Sequence, residues 1–170
     1  ATLTIDGAQT FAQLLILCEG SATVTVSSAE AIANIGRIDA TGVTGMVTYN
    51  ANDWYSRIPF GKMAGFDKIR KTYDGEWTPG DVSALAGYQL EIAKGTMVVD
   101  ADFTGVVATA ETPILVTGAD AELQLVGTNH QTNRMPNNGY IKATNGGTVT
   151  LKGVNLFNGD NAPHILLDGG

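Results

Sequence analysis

Residues 23–26 read Thr-Val-Thr-Val, an alternation of polar and apolar side chains with the period of two that a strand shows when one face is buried. Similar short runs fill the first fifty residues: TLTID, LLIL, ATVTV, IGRIDA and GMVTY. The segments between them, EGS, SSAEA and ATGVTG, hold the Gly, Ser and Thr that turns use. Residues 1–52 are therefore predicted to form an N-terminal β segment.

The pattern changes after YNAND. From Asp53 to Asp81 the stretch DWYSRIPFGKMAGFDKIRKTYDGEWTPGD shows no strand period. It holds five of the ten basic residues (Arg57, Lys62, Lys68, Arg70, Lys71) and six of the twelve aromatics (Trp54, Tyr55, Phe60, Phe66, Tyr73, Trp77). A loop of this length inside a compact domain is functional or has structure of its own. TPGDVSALAG then predicts a short helical turn, with Pro79 near its start and Gly87 as its stop. Residues 53–87 are read as an insertion with a short helix.

From Tyr88 the β pattern returns as QLEIA, TMVVD, GVVATA, PILVTG, ELQLVG, YIKATN, TVTLKG and HILLDG, each two to five residues from the next. ILVTGADAELQLVGTNHQ aligned with IKATNGGTVTLKGVNLFNG gives strand, Gly-containing corner, strand, Gly and an Asn-rich turn in both. A sandwich or jelly roll needs hairpins, marked by two-residue turns between longer alternating strands. A parallel β-helix turns a corner every few residues and stacks like on like, with aliphatics inside and Asn at corners. TNGGTVTLKGVNLFNGDN fits the second arrangement better. The fold class expected is all-β: a short right-handed parallel β-helix over residues 88–170, of about three or four coils, with a jelly roll or β-sandwich as the alternative. In the rung TVTLKGVNLF the inward positions are Val149, Leu151, Val154 and Leu156, with Gly153 at the corner.

Length supports one domain over 1–170: at 170 residues and 44% apolar, the chain is long enough for one core and short for two. Only 16% of residues are charged and 21 are Gly, which suits a β-rich protein. A net charge of −7 repels phosphate backbones and anionic lipid, so nucleic acid and membrane are not expected partners. The single cysteine, Cys18, cannot form an internal disulfide, and its setting in LLILC reads as a small buried hydrophobe. The apolar run FAQLLILC lacks the flanks of a signal peptide and is too short to span a bilayer, so synthesis in a cytoplasm is expected.

Candidate chemistry is thin. Asp100 with Asp102, and Asp120 with Glu122, lie two apart and would share a strand face if strands run through them. A pair of carboxylates is what glycoside hydrolysis requires, but both pairs adjoin turns, where acidic residues serve solvation. His130 and His164 are the two histidines; with one cysteine they do not make the clustered ligand set of a zinc site. NGDN at 158–161 lacks the periodic acids of a calcium loop. Phosphate-loop and dinucleotide fingerprints are absent from the sequence. No metal or cofactor is expected, and the chain is read as a non-enzyme.

The stretches PILVTGADAELQLVG and GGTVTLKGVNLFNG, with their surroundings about half the chain, resemble coils of viral right-handed β-helix proteins. These are the tailspike shafts and the capsid cement or decoration proteins of tailed phages. The resemblance implies a structural subunit on the exterior of a virion, a homotrimer that contacts sister copies and the major capsid protein. The aromatic and basic segment supplies the candidate interface, Trp54, Tyr55, Arg57, Phe60, Lys68, Arg70, Lys71 and Trp77, because rings and guanidinium groups anchor interfaces. The same aromatics are equally suited to plug an open end of the coil. The rival is a carbohydrate-binding or carbohydrate-cleaving tailspike-like β-helix, using the aromatics and one acidic pair.

Overall fold

In a computed structural model the described residues are 2–5, 14–17, 23–26, 35–39, 41, 48–51, 63–79, 82–101, 105–127, 135, 138–153 and 163–169. The protein is all-β, with parallel strand pairing throughout and one 3-10 turn, Val82–Leu85, among these residues. The chain divides into two compact units, Ala1–Tyr73 and Asp74–Gly170.

The first unit holds β1 (Thr2–Ile5), β2 (Leu14–Leu17), β3 (Thr23–Val26), β4 (Ile35–Asp39), β5 (Thr48–Ala51), β6 (Met63–Ala64) and β7 (Lys68–Lys71). Odd strands pair with odd, in the order β1, β3, β5, β7, and even with even, in the order β2, β4, β6. A strand therefore skips its sequence neighbour and meets the one after it. Parallel pairing demands this, because the chain must travel back to the same end before it can run beside itself.

β7 lies inside the stretch whose sequence showed no strand period. Its KIRK does alternate, with Ile69 and Lys71 buried and Lys68 and Arg70 half-buried. The period is invisible to hydropathy because one of the two inward side chains is a lysine. Two more short strands occupy the same stretch, β6 and, in the second unit, β8 (Glu76–Trp77).

The second unit continues with β9 (Gln89–Ile92), β10 (Gly95–Val99), β11 (Ile114–Thr117), β12 (Ala121–Val126), β13 (Tyr140–Thr144), β14 (Thr148–Lys152) and β15 (His164–Asp168). One sheet runs β9, β11, β13, β15 and another β8, β10, β12, β14, all parallel. β9 packs against β10 and β12, which brings the apolar faces of the two sheets together.

Register makes that core a set of straight lines. Met97, Leu123 and Val149 follow one another across β10, β12 and β14, as do Val99, Leu125 and Leu151. Ile114, Ile141 and Ile165 do so across β11, β13 and β15, beside Val116, Ala143 and Leu167. The inner members are closed to solvent, with Ile114, Val116 and Ile141 at 0% exposure. Each fully buried aliphatic contributes about 1.5–3 kcal/mol relative to its exposed state.

The lines open at their last rung. Val149 and Ile165 are half-buried, while Leu151 and Leu167 are 47% and 76% exposed. Leu151 thus occupies the inward register expected of it, on a strand with no neighbour beyond it among the described residues. Val154 and Leu156, expected inward on the same rung, and Cys18 lie outside the described residues.

The corner between β13 and β14 explains why Asn145-Gly146-Gly147 is spelled as it is. Asn145 and Gly146 take left-handed conformations, φ 53° and 84°. At Gly147 a Cβ would run into the carbonyl oxygen of Val116 on β11, so the backbones approach too closely there for any side chain. Gly153, the expected corner after β14, has φ 63°.

Candidate functional surfaces

Of the predicted interface residues, Trp54, Tyr55, Arg57 and Phe60 lie outside the described residues, as do Asp102 and His130. Lys68 and Arg70 sit half-buried on one face of β7, in register with Thr48 and Asn50 of β5. Lys71, from the same basic run, points the other way and is 1% exposed. Its Nζ donates a 2.7 Å hydrogen bond to the Tyr73 carbonyl oxygen and stands 3.8 Å from the centre of the Tyr73 ring. The aliphatic stem takes a core position while the ammonium is held by a carbonyl dipole and a ring face. Trp77, on β8, is half-buried and in register with Met97 of β10. The basic run therefore splits between an outer face and an interior.

The acidic pair Asp100 and Asp102 is described at its first member alone. Asp100 is exposed at the end of β10. Asp120 lies in the turn before β12, which begins at Ala121, and Glu122 on the strand itself, so no strand runs through both, the condition on which they would share a face.

Glu122 is the centre of a polar network on the outward side of β10, β12 and β14. Thr150 donates to its Oε1 at 2.6 Å, and Thr96 to its Oε2 at 3.4 Å. The Thr150 bond, then Gln124, hold its carboxyl below the ordinary carboxylate range against the opposing effect of burial, with smaller help from Thr96 and Lys152. Lys152 in turn donates to Gln124 Oε1 at 2.9 Å. A general acid at neutral pH needs the opposite shift. Glu122 is an anion that ties three strands together.

The outward side of the other sheet is similarly self-bound. Thr144 donates to Thr117 at 3.0 Å and Asn145 to the same hydroxyl at 3.1 Å. Lys142 and Asp168 form a 3.0 Å ion pair. His164 stacks on Tyr140, its register partner, with ring centres 4.4 Å apart and planes 18° from parallel. His164 is thus a rung partner for an aromatic ring.

Sequence reasoning missed the apolar surface at the strand edges. Leu3, Leu151, Leu166 and Leu167 are the large hydrophobic side chains exposed among the described residues, on β1, β14 and β15. The signal was available in HILLD, where three consecutive aliphatics exceed what one inward face can absorb.

Among the described residues no group of three His, Cys, Asp or Glu side chains is placed to hold a metal ion, and no helix is long and apolar enough to cross a membrane. No protein-family model, curated protein or solved structure matches the chain.

Proposed function

We propose that the protein is a short right-handed parallel β-helix acting as a non-enzymatic structural subunit, of the kind that cements or decorates the exterior of a phage capsid. One observation carries this reading: inward aliphatic side chains stand in register from strand to strand, and outward side chains of the second unit bond across to the neighbouring strand. Inward lines are aliphatic. Outward ones are knitted by Thr117 with Thr144, by Glu122 with Thr96 and Thr150, and by Tyr140 with His164. Such a stack invests its polar groups in rigidity.

On this reading the subunit works as a homotrimer seated on the major capsid protein, since closed three-fold symmetry suits an icosahedral lattice. Lys68 and Arg70, half-buried on one face of β7, belong to its contact surface. A basic pair in a chain of net charge −7 favours an acidic partner surface. Trp54, Tyr55, Arg57, Phe60 and Trp77 complete the proposed interface, and Lys71 supports it from inside.

The test is the mass of the purified protein by light scattering, alone and after incubation with a panel of polysaccharides under reducing-end detection. A three-copy species that releases no reducing ends supports the proposal. Release of reducing ends, lost in Asp100→Asn, makes the protein a carbohydrate-active β-helix and overturns it.

A further inference from the structure

Charge is divided unevenly between the two units. Residues 1–73 carry six acidic and six basic side chains, whereas residues 74–170 carry eleven and four, so the second unit holds the whole net charge of −7. Within the first unit the basic residues are gathered: five of the six fall between Arg57 and Lys71, with Asp67 the one acid in that span. Lys68 and Arg70 of this run share one half-buried face of β7, in register with the uncharged Thr48 and Asn50. On the second unit acids gather where β8, β10 and β12 begin. Glu76 and Glu122 stand in register on either side of Thr96, while Asp74 and Asp120 lie just before β8 and β12. Asp74, Glu76 and Asp120 are exposed. Among the described residues, Lys94 is the cation set beside these carboxylates, its Nζ 2.8 Å from Asp74 Oδ1.

We infer that these two surfaces meet between copies: the Lys68 and Arg70 face of one chain docks against the Asp74, Glu76, Asp120 and Glu122 surface of the next. This names the acidic partner of the basic face and rests on the homotrimer reading. A two-fold contact is isologous and sets a surface against itself, whereas a three-fold ring is heterologous and needs two different surfaces that fit each other. The chain supplies such a pair, opposite in sign and one on each unit. Setting either surface against its own copy would oppose like charges. The acidic side is also organised in advance. Thr150 and Thr96 fix the Glu122 carboxylate, and Thr78 donates to Glu76 Oε1 at 3.3 Å, so less side-chain freedom is lost when a cation arrives. Arg70 can meet such a carboxylate through two parallel hydrogen bonds.

Sedimentation velocity over a range of concentrations tests it, with circular dichroism as the check on folding. Wild type is expected at three times the 17.7 kDa chain mass. It should dissociate as salt rises from about 0.01 M to about 1 M, over which the screening length falls from about 30 Å to about 3 Å. Glu76→Lys with Asp120→Lys, and separately Lys68→Glu with Arg70→Glu, should each raise the concentration of half-dissociation at least about tenfold. All four changes in one chain reverse both surfaces and should restore the three-copy species. Glu111→Lys, exposed ahead of β11 in the other sheet, alters net charge alone and should associate as wild type does. If the half-buried basic pair does not tolerate reversal, the exposed acidic pair and the salt series decide. A three-copy species that survives Glu76→Lys with Asp120→Lys, or that salt leaves intact, overturns the inference and keeps the homotrimer. Folded variants that the four-change chain fails to rescue overturn it as well. A wild type at single-chain mass overturns the homotrimer and this contact with it.

Discussion

Thr150 and Glu122, 28 residues apart in sequence and on adjacent strands, share a 2.6 Å hydrogen bond in which the hydroxyl donates to the carboxylate. That bond is the largest cause of the low Glu122 pKa. A carboxylate with a folded pKa below its unfolded one, ordinarily near 4.5, binds fewer protons folded than unfolded in between. Its stabilising effect is complete above the ordinary value and disappears as pH falls through the folded value. Thr150→Val should therefore make the stability curve shallower on the acid side of pH 4.5 and lower stability near pH 7, by under about 1 kcal/mol because water screens the half-buried site. Urea titrations at a series of pH values would read it; identical acid limbs in the two proteins would remove Glu122 as a source of pH dependence.

Lys71 fills a core position with its stem and a ring face with its charge. Lys71→Ala should cost about 2–4 kcal/mol through lost packing and lost cation–π attraction. Lys71→Met, which restores the stem without the ammonium, should recover at least half of that. Denaturant midpoints compare the two, and equal losses would show that the charge alone matters.

A side chain at Gly147 meets backbone, which cannot rotate away. Gly147→Ala should destabilise by about 1–3 kcal/mol, as overpacking does. Gly169→Ala, where a Cβ meets nothing within 4 Å, should leave the melting temperature within experimental error.

Ile141 lies between Ile114 and Ile165 in an inward line and is 0% exposed. Ile141→Ala should cost about 2–5 kcal/mol and Ile141→Val about 0.5–1.5 kcal/mol. Calorimetry of both variants checks the ratio; a loss confined to one rung, with most of the melting enthalpy retained, would mean that the layers unfold separately.

Much of this was legible in the chain. ELQLV and TVTLK announce strands because their aliphatics alternate, and NGG announces a corner because Asn and Gly tolerate left-handed backbone. KIRK was not legible, since hydropathy scores Lys71 as an outward residue and cannot anticipate the Tyr73 ring that receives it. The network around Glu122 escaped for a different reason: its hydroxyl donors sit 26 residues before it and 28 after it, distances that only pairing register converts into contact. Leu151 and Leu167 show the converse. Alternation assigns Leu151 an inward position, which its register with Leu125 matches, while the three consecutive aliphatics of HILLD assign none to Leu167; in both cases exposure depends on what lies beyond the strand, which no local pattern encodes.

The constant register of the β10–β12–β14 sheet bears on how such a chain changes length over generations. Gly95–Val99 meets Ala121–Leu125, and Glu122–Val126 meets Thr148–Lys152, with no slip between them. A gene duplication spanning residues 95–120 would give each copy of this strand a neighbour whose register it already meets, whereas the pairing of Thr96 with Glu76 shows that the same sheet also takes a shorter step.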